Sequence, residues 1–143
     1  MPGKDLIGNY QHNIDVKGRV FLPAKQREKL GETVYMTRGL DKCVFLFSET
    51  GWNEFIDGLA ALPVSRSREA QRYFGGNAAQ ADIDGQGRIM IPLGLRQFAD
   101  LKKSVTLVGV LGRVEIWDTE RWNNFNNNVS EETISDILEG QGF

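Results

Sequence analysis

The chain has 143 residues, 41% hydrophobic and 25% charged, with a formal net charge of −2; these values sit near the soluble globular average, exclude wholesale disorder, and suit one ordinary domain or two small units sharing a core. No apolar run approaches the ~20 residues that cross a bilayer, and the opening MPGKDLIGNY lacks a signal-peptide core. One cysteine (Cys43) and one histidine (His12) supply no disulfide framework, metal site or catalytic constellation, so the expectation is a soluble cytoplasmic protein, not an enzyme, with no cofactor.

Taken in chain order, a first strand ends at Ile14, and residues 15–18 (DVKG) form a tight turn with Gly18 at a position suited to positive φ. RVFL (19–22) is apolar and β-branched enough for a second strand. Pro23 ends it and opens a short helix, AKQREKL, because proline in the first turn loses no hydrogen bond. TVYMTR and CVFLF read as two strands around GLDK. Ser48 is suited to cap a helix that carries Trp52, Phe55, Ile56 and Leu59 on one stripe. Gly58 weakens that helix and Pro63 ends it; SRSREAQRYF then forms a polar linker helix, with Gly75-Gly76 as a hinge. The pattern now starts again: a strand to Ile83, the turn DGQG (84–87), the strand RIMI, Pro92, the helix LGLRQFA, the strands SVTLV and RVEIW around GVLG, and a helix capped by Asp118. The end, SEETISDILEG, reads as a short, frayed amphipathic helix.

The echo is an internal duplication. At an offset of 69, Asp15, Gly18, Arg19, Pro23 and Arg27 fall on Asp84, Gly87, Arg88, Pro92 and Arg96, while Val20 and Leu22 fall on Ile89 and Ile91. After one inserted residue near 100–103, Gly39, Val44, Trp52, Asn53 and Phe55 fall on Gly109, Val114, Trp122, Asn123 and Phe125. The division is a first repeat at 8–54, a helical linker at 55–76, a second repeat at 77–126 and an acidic segment at 127–143. Four short strands per half do not bury both of their faces alone. The expected fold is therefore mainly β with flanking helices (α+β), a pseudo-twofold β-barrel built jointly by the two repeats. If the tryptophan helices face outward, Trp52, Phe55, Trp122 and Phe125 form an oligomer interface.

Asp15 and Asp84 are placed to accept a backbone N–H two residues on and so hold the turns. Arg19 and Arg88 emerge within reach of those carboxylates. A surface pair adds only ~0–1 kcal/mol. The arginine is therefore either one half of a structural pair or an oriented fork for phosphate or a guanine edge. Arg27 and Arg96, eight residues on, are either a solvated helix face or a second phosphate contact. Lys17 has no basic counterpart at Gln86, so the first copy is the more cationic and is expected to dominate binding. His12 and Cys43 read as structural, and Arg66, Arg68 and Arg72 as a solvated linker helix rather than a second nucleic-acid patch. Charge is uneven: after Val114 there are seven acids and one base, whereas residues 15–29 hold five bases and two acids. Local charge sets the field at contact range, because salt screens beyond ~8–10 Å.

The motif D-x-x-G-R-[VI]-x-[LI]-P, followed by a short helix bearing Arg, resembles the SpoVT/AbrB class of swapped-hairpin DNA-binding modules. Two copies at this spacing, over residues 8–125, are similar to the MraZ family of bacterial transcriptional regulators. The resemblance implies a swapped-hairpin barrel, assembly into a closed ring, and binding to short direct repeats of double-stranded DNA in the promoter of the division and cell-wall gene cluster, the protein's own promoter included, at the nucleoid. It maps the paired signature onto Asp15/Arg19 and Asp84/Arg88, the DNA-contacting turn onto Lys17 and Arg19, and the helix arginine onto Arg27. It assigns no role to the acidic end. The competing expectation is an oligomeric scaffold or antitoxin-like protein-binding module, in which the arginine pairs are structural.

Overall fold

The computed structural model describes residues 4–143. The first repeat supplies β1 (Asn9–Asn13), β2 (Arg19–Phe21), α1 (Ala24–Leu30), β3 (Thr33–Arg38), β4 (Val44–Ser48) and α2 (Glu49–Ala60), followed by α3 (Val64–Gly75). The second supplies β5 (Ala79–Asp82), β6 (Arg88–Met90), α4 (Leu93–Phe98), β7 (Ser104–Gly109), β8 (Val114–Asp118) and α5 (Thr119–Asn128), followed by α6 (Glu131–Glu139). Local chemistry sets most of these ends. The Ser48 hydroxyl accepts from Gly51 N at 3.0 Å and Asp118 from Arg121 N at 3.4 Å, capping α2 and α5. Pro23 and Pro92 stand one position earlier than expected, as the N-caps of α1 and α4. Gly75 is the last residue of α3 and Gly76 its C-cap. The expected boundary at 54/55 falls inside α2, which runs unbroken to Ala60.

The strands form an antiparallel six-stranded sheet, β1-β7-β8-β4-β3-β5, and a two-stranded ribbon, β2-β6. Exchanging the strands of one repeat for those of the other reverses the sheet order and leaves it unchanged. The pseudo-twofold axis therefore passes between β4 and β8 and through the ribbon. The repeats also trade their first strands: β1 pairs with β7 and β5 with β3, each across the duplication. The sheet is not closed into a barrel; β1 and β5 are its edges.

Strand alternation sends successive side chains to opposite faces. On one face Val44, Leu46, Leu107 and Ile116 join Val20, Leu22, Ile89 and Ile91 in a core drawn from both repeats. On the other, Phe45, Phe47, Trp52 and Trp117 form an aromatic cluster with Phe55, Phe74 and Trp122 against it. This corrects the outward placement of Trp52. That ring is only 9% exposed and stacks on Tyr35 at 5.6 Å, because the sheet of its own chain already offers an aromatic partner. Phe55 likewise packs on Phe47 at 4.8 Å. Trp122 is half-buried against Trp117, and Phe125 is the outward one, 50% exposed.

Because the apolar core is shared, the two repeats should unfold together. Ile89→Ala, at a site 1% exposed, is expected to lower stability by about 2–5 kcal/mol in a single urea transition that tryptophan fluorescence and far-UV circular dichroism report at the same midpoint. Separate transitions for the two repeats would contradict a common core.

Candidate nucleic-acid interface

The two Asp-x-x-Gly-Arg turns share one geometry. In the first, one carboxylate oxygen of Asp15 accepts the backbone N–H of Lys17 and of Arg19, each at 2.9 Å, and the other accepts Arg19 Nε at 2.7 Å. In the second, Asp84 takes Gln86 N and Arg88 N at 2.9 Å and Arg88 Nε at 3.0 Å. Backbone bonds close both loops: Gly18 N to Asp15 O and Gly87 N to Asp84 O, each 3.0 Å. Both carboxyls sit below the ordinary aspartate value of 3.8, chiefly because the Arg19 and Arg88 backbone N–H groups point at them, with desolvation working the other way. The arginine is anchored through Nε alone, and among the described residues neither Arg19 nor Arg88 has a partner for its two Nη groups. About 30% of each side chain is open to solvent.

Gly18 and Gly87 carry φ of +87° and +80°, a conformation that glycine adopts without strain. They are also pressed from the other repeat. A Cβ on Gly18 would lie 2.7 Å from the Arg96 guanidinium, and one on Gly87 2.7 Å from that of Arg27. Arg27 Nε in turn donates to Leu22 O and Arg96 Nε to Ile91 O, both at 2.9 Å. These helix arginines are neither a free solvated face nor remote from the turns; each braces the turn of the opposite repeat.

The ribbon register pairs Arg19 with Met90 and Phe21 with Arg88. Val20 and Ile89 point into the core, so Arg19, Phe21, Arg88 and Met90 share the outer face, with Phe21 38% and Met90 46% exposed. Arg27 lies over the Phe21 ring at 5.1 Å, and His12 meets its edge at 5.3 Å. Sequence reasoning passed over Phe21 and Met90, although period-2 spacing from Arg19 and Arg88 places them on the arginine side. Val16 was missed as well: it stands fully exposed at the first turn tip, where the second turn has Gly85. Lys17 flanks it and is exposed. Cys43 is buried, with its thiol pushed up by desolvation and bonded to Leu40 O, as a structural residue should be. Arg66, Arg68 and Arg72 lie on α3, away from the ribbon turns in the chain.

Comparison with known proteins reproduces the duplication. The family described as "MraZ protein, putative antitoxin-like" matches residues 6–75 and again 73–140. The protein named transcriptional regulator MraZ from Thermoanaerobacter sp. (strain X514) is 45% identical over 138 residues, covering 94% of this chain and 96% of that one. Its namesake from Heliobacterium modesticaldum is 44% identical over 127 residues, with 87% and 89% covered. That from Lachnoclostridium phytofermentans is 46% identical over 125 residues, with 85% and 89% covered. The second matched segment runs through α6, so the acidic end lies within the family's length rather than beyond it. Duplicated turn, duplicated match and near-full-length identity agree, and the chain belongs to the MraZ family.

Proposed function

We propose that the chain is a sequence-specific DNA-binding regulator of transcription that reads double-stranded DNA with the outer face of the β2–β6 ribbon. The observation that carries this is the pair of arginines at twofold-related places on one ribbon, each fixed through Nε with its Nη donors free. A two-stranded ribbon fits the major groove, ~12 Å wide, and a guanidinium so presented matches guanine O6 and N7 or a phosphate. Asp15 and Asp84 orient the fork, so less rotamer freedom is lost on binding. Lys17 adds a phosphate contact in the first turn only. Arg27 and Arg96 hold the turns and add positive field behind them. The relatives' names support the regulatory role.

In this reading the DNA is the promoter of the division and cell-wall gene cluster, including the protein's own. Short direct repeats there are engaged by several subunits of a closed ring at the nucleoid, and tandem engagement gains avidity of ~10²–10⁴ without new contacts. Sheet and ribbon together are read as a swapped-hairpin barrel, with the outward Phe125 and the flank of Trp122 as part of the subunit interface. The family description also names an antitoxin-like character, which favours a second reading as a protein-binding scaffold. Capture of a protein partner with no DNA shift at low salt would select it.

In a mobility-shift titration against the DNA upstream of its own gene, Arg19→Ala should abolish the shift while retaining the wild-type circular dichroism and oligomer mass. Arg88→Ala should weaken binding by about 1–3 kcal/mol, and Lys17→Ala should weaken all sequences alike and reduce the salt slope by about 1. Full operator binding by Arg19→Ala would sink the assignment.

A second test concerns the carboxyls. A group whose folded pKa is depressed stabilises the fold above its unfolded value and loses that contribution as pH falls through the folded one. Carbon-detected NMR should therefore place the midpoints of Asp15 and Asp84 below 3.8, with the amides of Lys17, Arg19, Gln86 and Arg88 moving in the same step. Midpoints at or above the ordinary value would mean the carboxylates do not hold the turns.

A further inference from the structure

We infer that DNA is gripped at one end of the ribbon only: a run of phosphates seats beside the first turn, on Lys103 with Lys102 and Lys17, and is kept off the end that carries the second turn. The inference deepens the DNA reading proposed above and rests on it. β2 and β6 are antiparallel, so the two Asp-x-x-Gly-Arg turns stand at opposite ends of the ribbon. Beside each turn lies an open groove, about 620 Å³ at the first and about 500 Å³ at the second. The two are similar in size, so shape does not distinguish the ends.

Charge does. The groove at the first turn is lined by Arg96, Lys102 and Lys103 against one acid, Asp15. The groove at the second is lined by one base, Arg27, against Glu32, Asp82 and Asp84. Asp15 and Asp84 are occupied by their own turns in the same way, so they cancel from the comparison. Backbone bonds identify the equivalent positions: Ile14 N donates to Lys103 O at 2.8 Å and Ile83 N to Glu32 O at 2.9 Å. Lys103 and Glu32 thus hold one place in the duplicated fold with opposite charge. Lys102 stands where the first repeat has Gly31, Lys17 where the second has Gln86, and Asn13 where the second has Asp82. All four differences make the first end more positive.

Lys103 and Glu32 are exposed, and neither has an ion-pair partner among the described residues. The lysine ammonium is therefore available to a ligand. Lys102 is less free, because its Nζ lies 3.4 Å from Asp100 and 3.8 Å from Asp118; Lys103 is the principal contact. A flexible ammonium suits a phosphate of any sequence, whereas Arg19 is a fork fixed by Asp15. At the second end Glu32 and Asp82 repel the backbone at contact range, well inside the ~8–10 Å over which salt leaves charges unscreened. Phosphate contacts set register and orientation, so a grip at one end makes a nearly symmetric ribbon lie one way round on its duplex.

The carbonyls of Lys103 and Glu32, not their side chains, bond the fold, so substitution leaves it intact. Binding is read as fluorescence anisotropy over a salt series on two duplexes, one from upstream of the protein's own gene and one with that sequence scrambled. Lys103→Ala should weaken both by the same factor, keep the preference for the first, and reduce the slope of log K against log salt by about 1. Glu32→Lys should tighten the scrambled duplex and steepen that slope by about 1. Lys42→Ala, at an exposed lysine between β3 and β4, should change neither. Arg19→Ala, run alongside, should lose the first duplex, so the phosphate seat and the reading of sequence are scored apart. Lys103→Ala with the wild-type slope overturns the inference and leaves the reading standing, as does Glu32→Lys that binds no tighter. If Arg19→Ala binds as wild type while Lys103→Ala flattens the slope, the reading falls and the seat remains. A wild-type chain that binds neither duplex at about 50 mM salt overturns both.

Discussion

Each Asp-x-x-Gly-Arg turn in this molecule is clasped by the repeat it does not belong to. The carbonyl of Gly87 accepts Leu22 N and that of Gly18 accepts Ile91 N, both at 2.9 Å, while the Arg27 and Arg96 guanidinium groups pack on the same two glycines. The positive φ of Gly18 and Gly87 and their missing side chains are therefore one requirement met twice. A residue with Cβ would be strained there and would also displace the opposing arginine. From this clasp the rest follows. The ribbon brings Val20, Leu22, Ile89 and Ile91 into one core, and it places Arg19 and Arg88 on one outer face. Core, fold and candidate site are held by the same few contacts.

What the sequence made legible was whatever is local or repeated. The Asp-to-Arg geometry spans four residues, so its hydrogen bonds follow from turn chemistry alone, and the offset of 69 made both copies visible at once. Strand exchange was not legible in the same way. β1 and β5 alternate alike and face near-equivalent partners, so the period-2 pattern is satisfied whether β1 pairs with β3 or with β7. The bracing by Arg27 and Arg96 was hidden for the same reason: spacing places them on helices but does not show that they reach the other repeat. Trp52 illustrates a third limit. A helical apolar stripe tells which face is buried and not what buries it; here Tyr35 and Phe47 of the same sheet do so.

The duplication has stayed symmetric where the two copies touch and diverged where they do not. Asp, Gly, both arginines and the proline are kept in each repeat because each serves the other's turn or its own closure. At the turn tips only the backbone N–H of Lys17 and of Gln86 is used. Side chains there are free to differ, and Val16-Lys17 stands opposite Gly85-Gln86. The reciprocal clasp thus leaves divergence to side chains that neither turn uses for its own closure.

Charge follows the same division. A net charge of −2 sits poorly with a DNA-reading surface if spread evenly, but seven of the nineteen acids lie after Val114, five of them on α5 and α6. α5 packs through Trp122 on the sheet face opposite the core that carries the ribbon, and screening over ~8–10 Å limits how far such charges act. The residues that lower the net charge thus lie apart from residues 15–29, where five bases outnumber two acids.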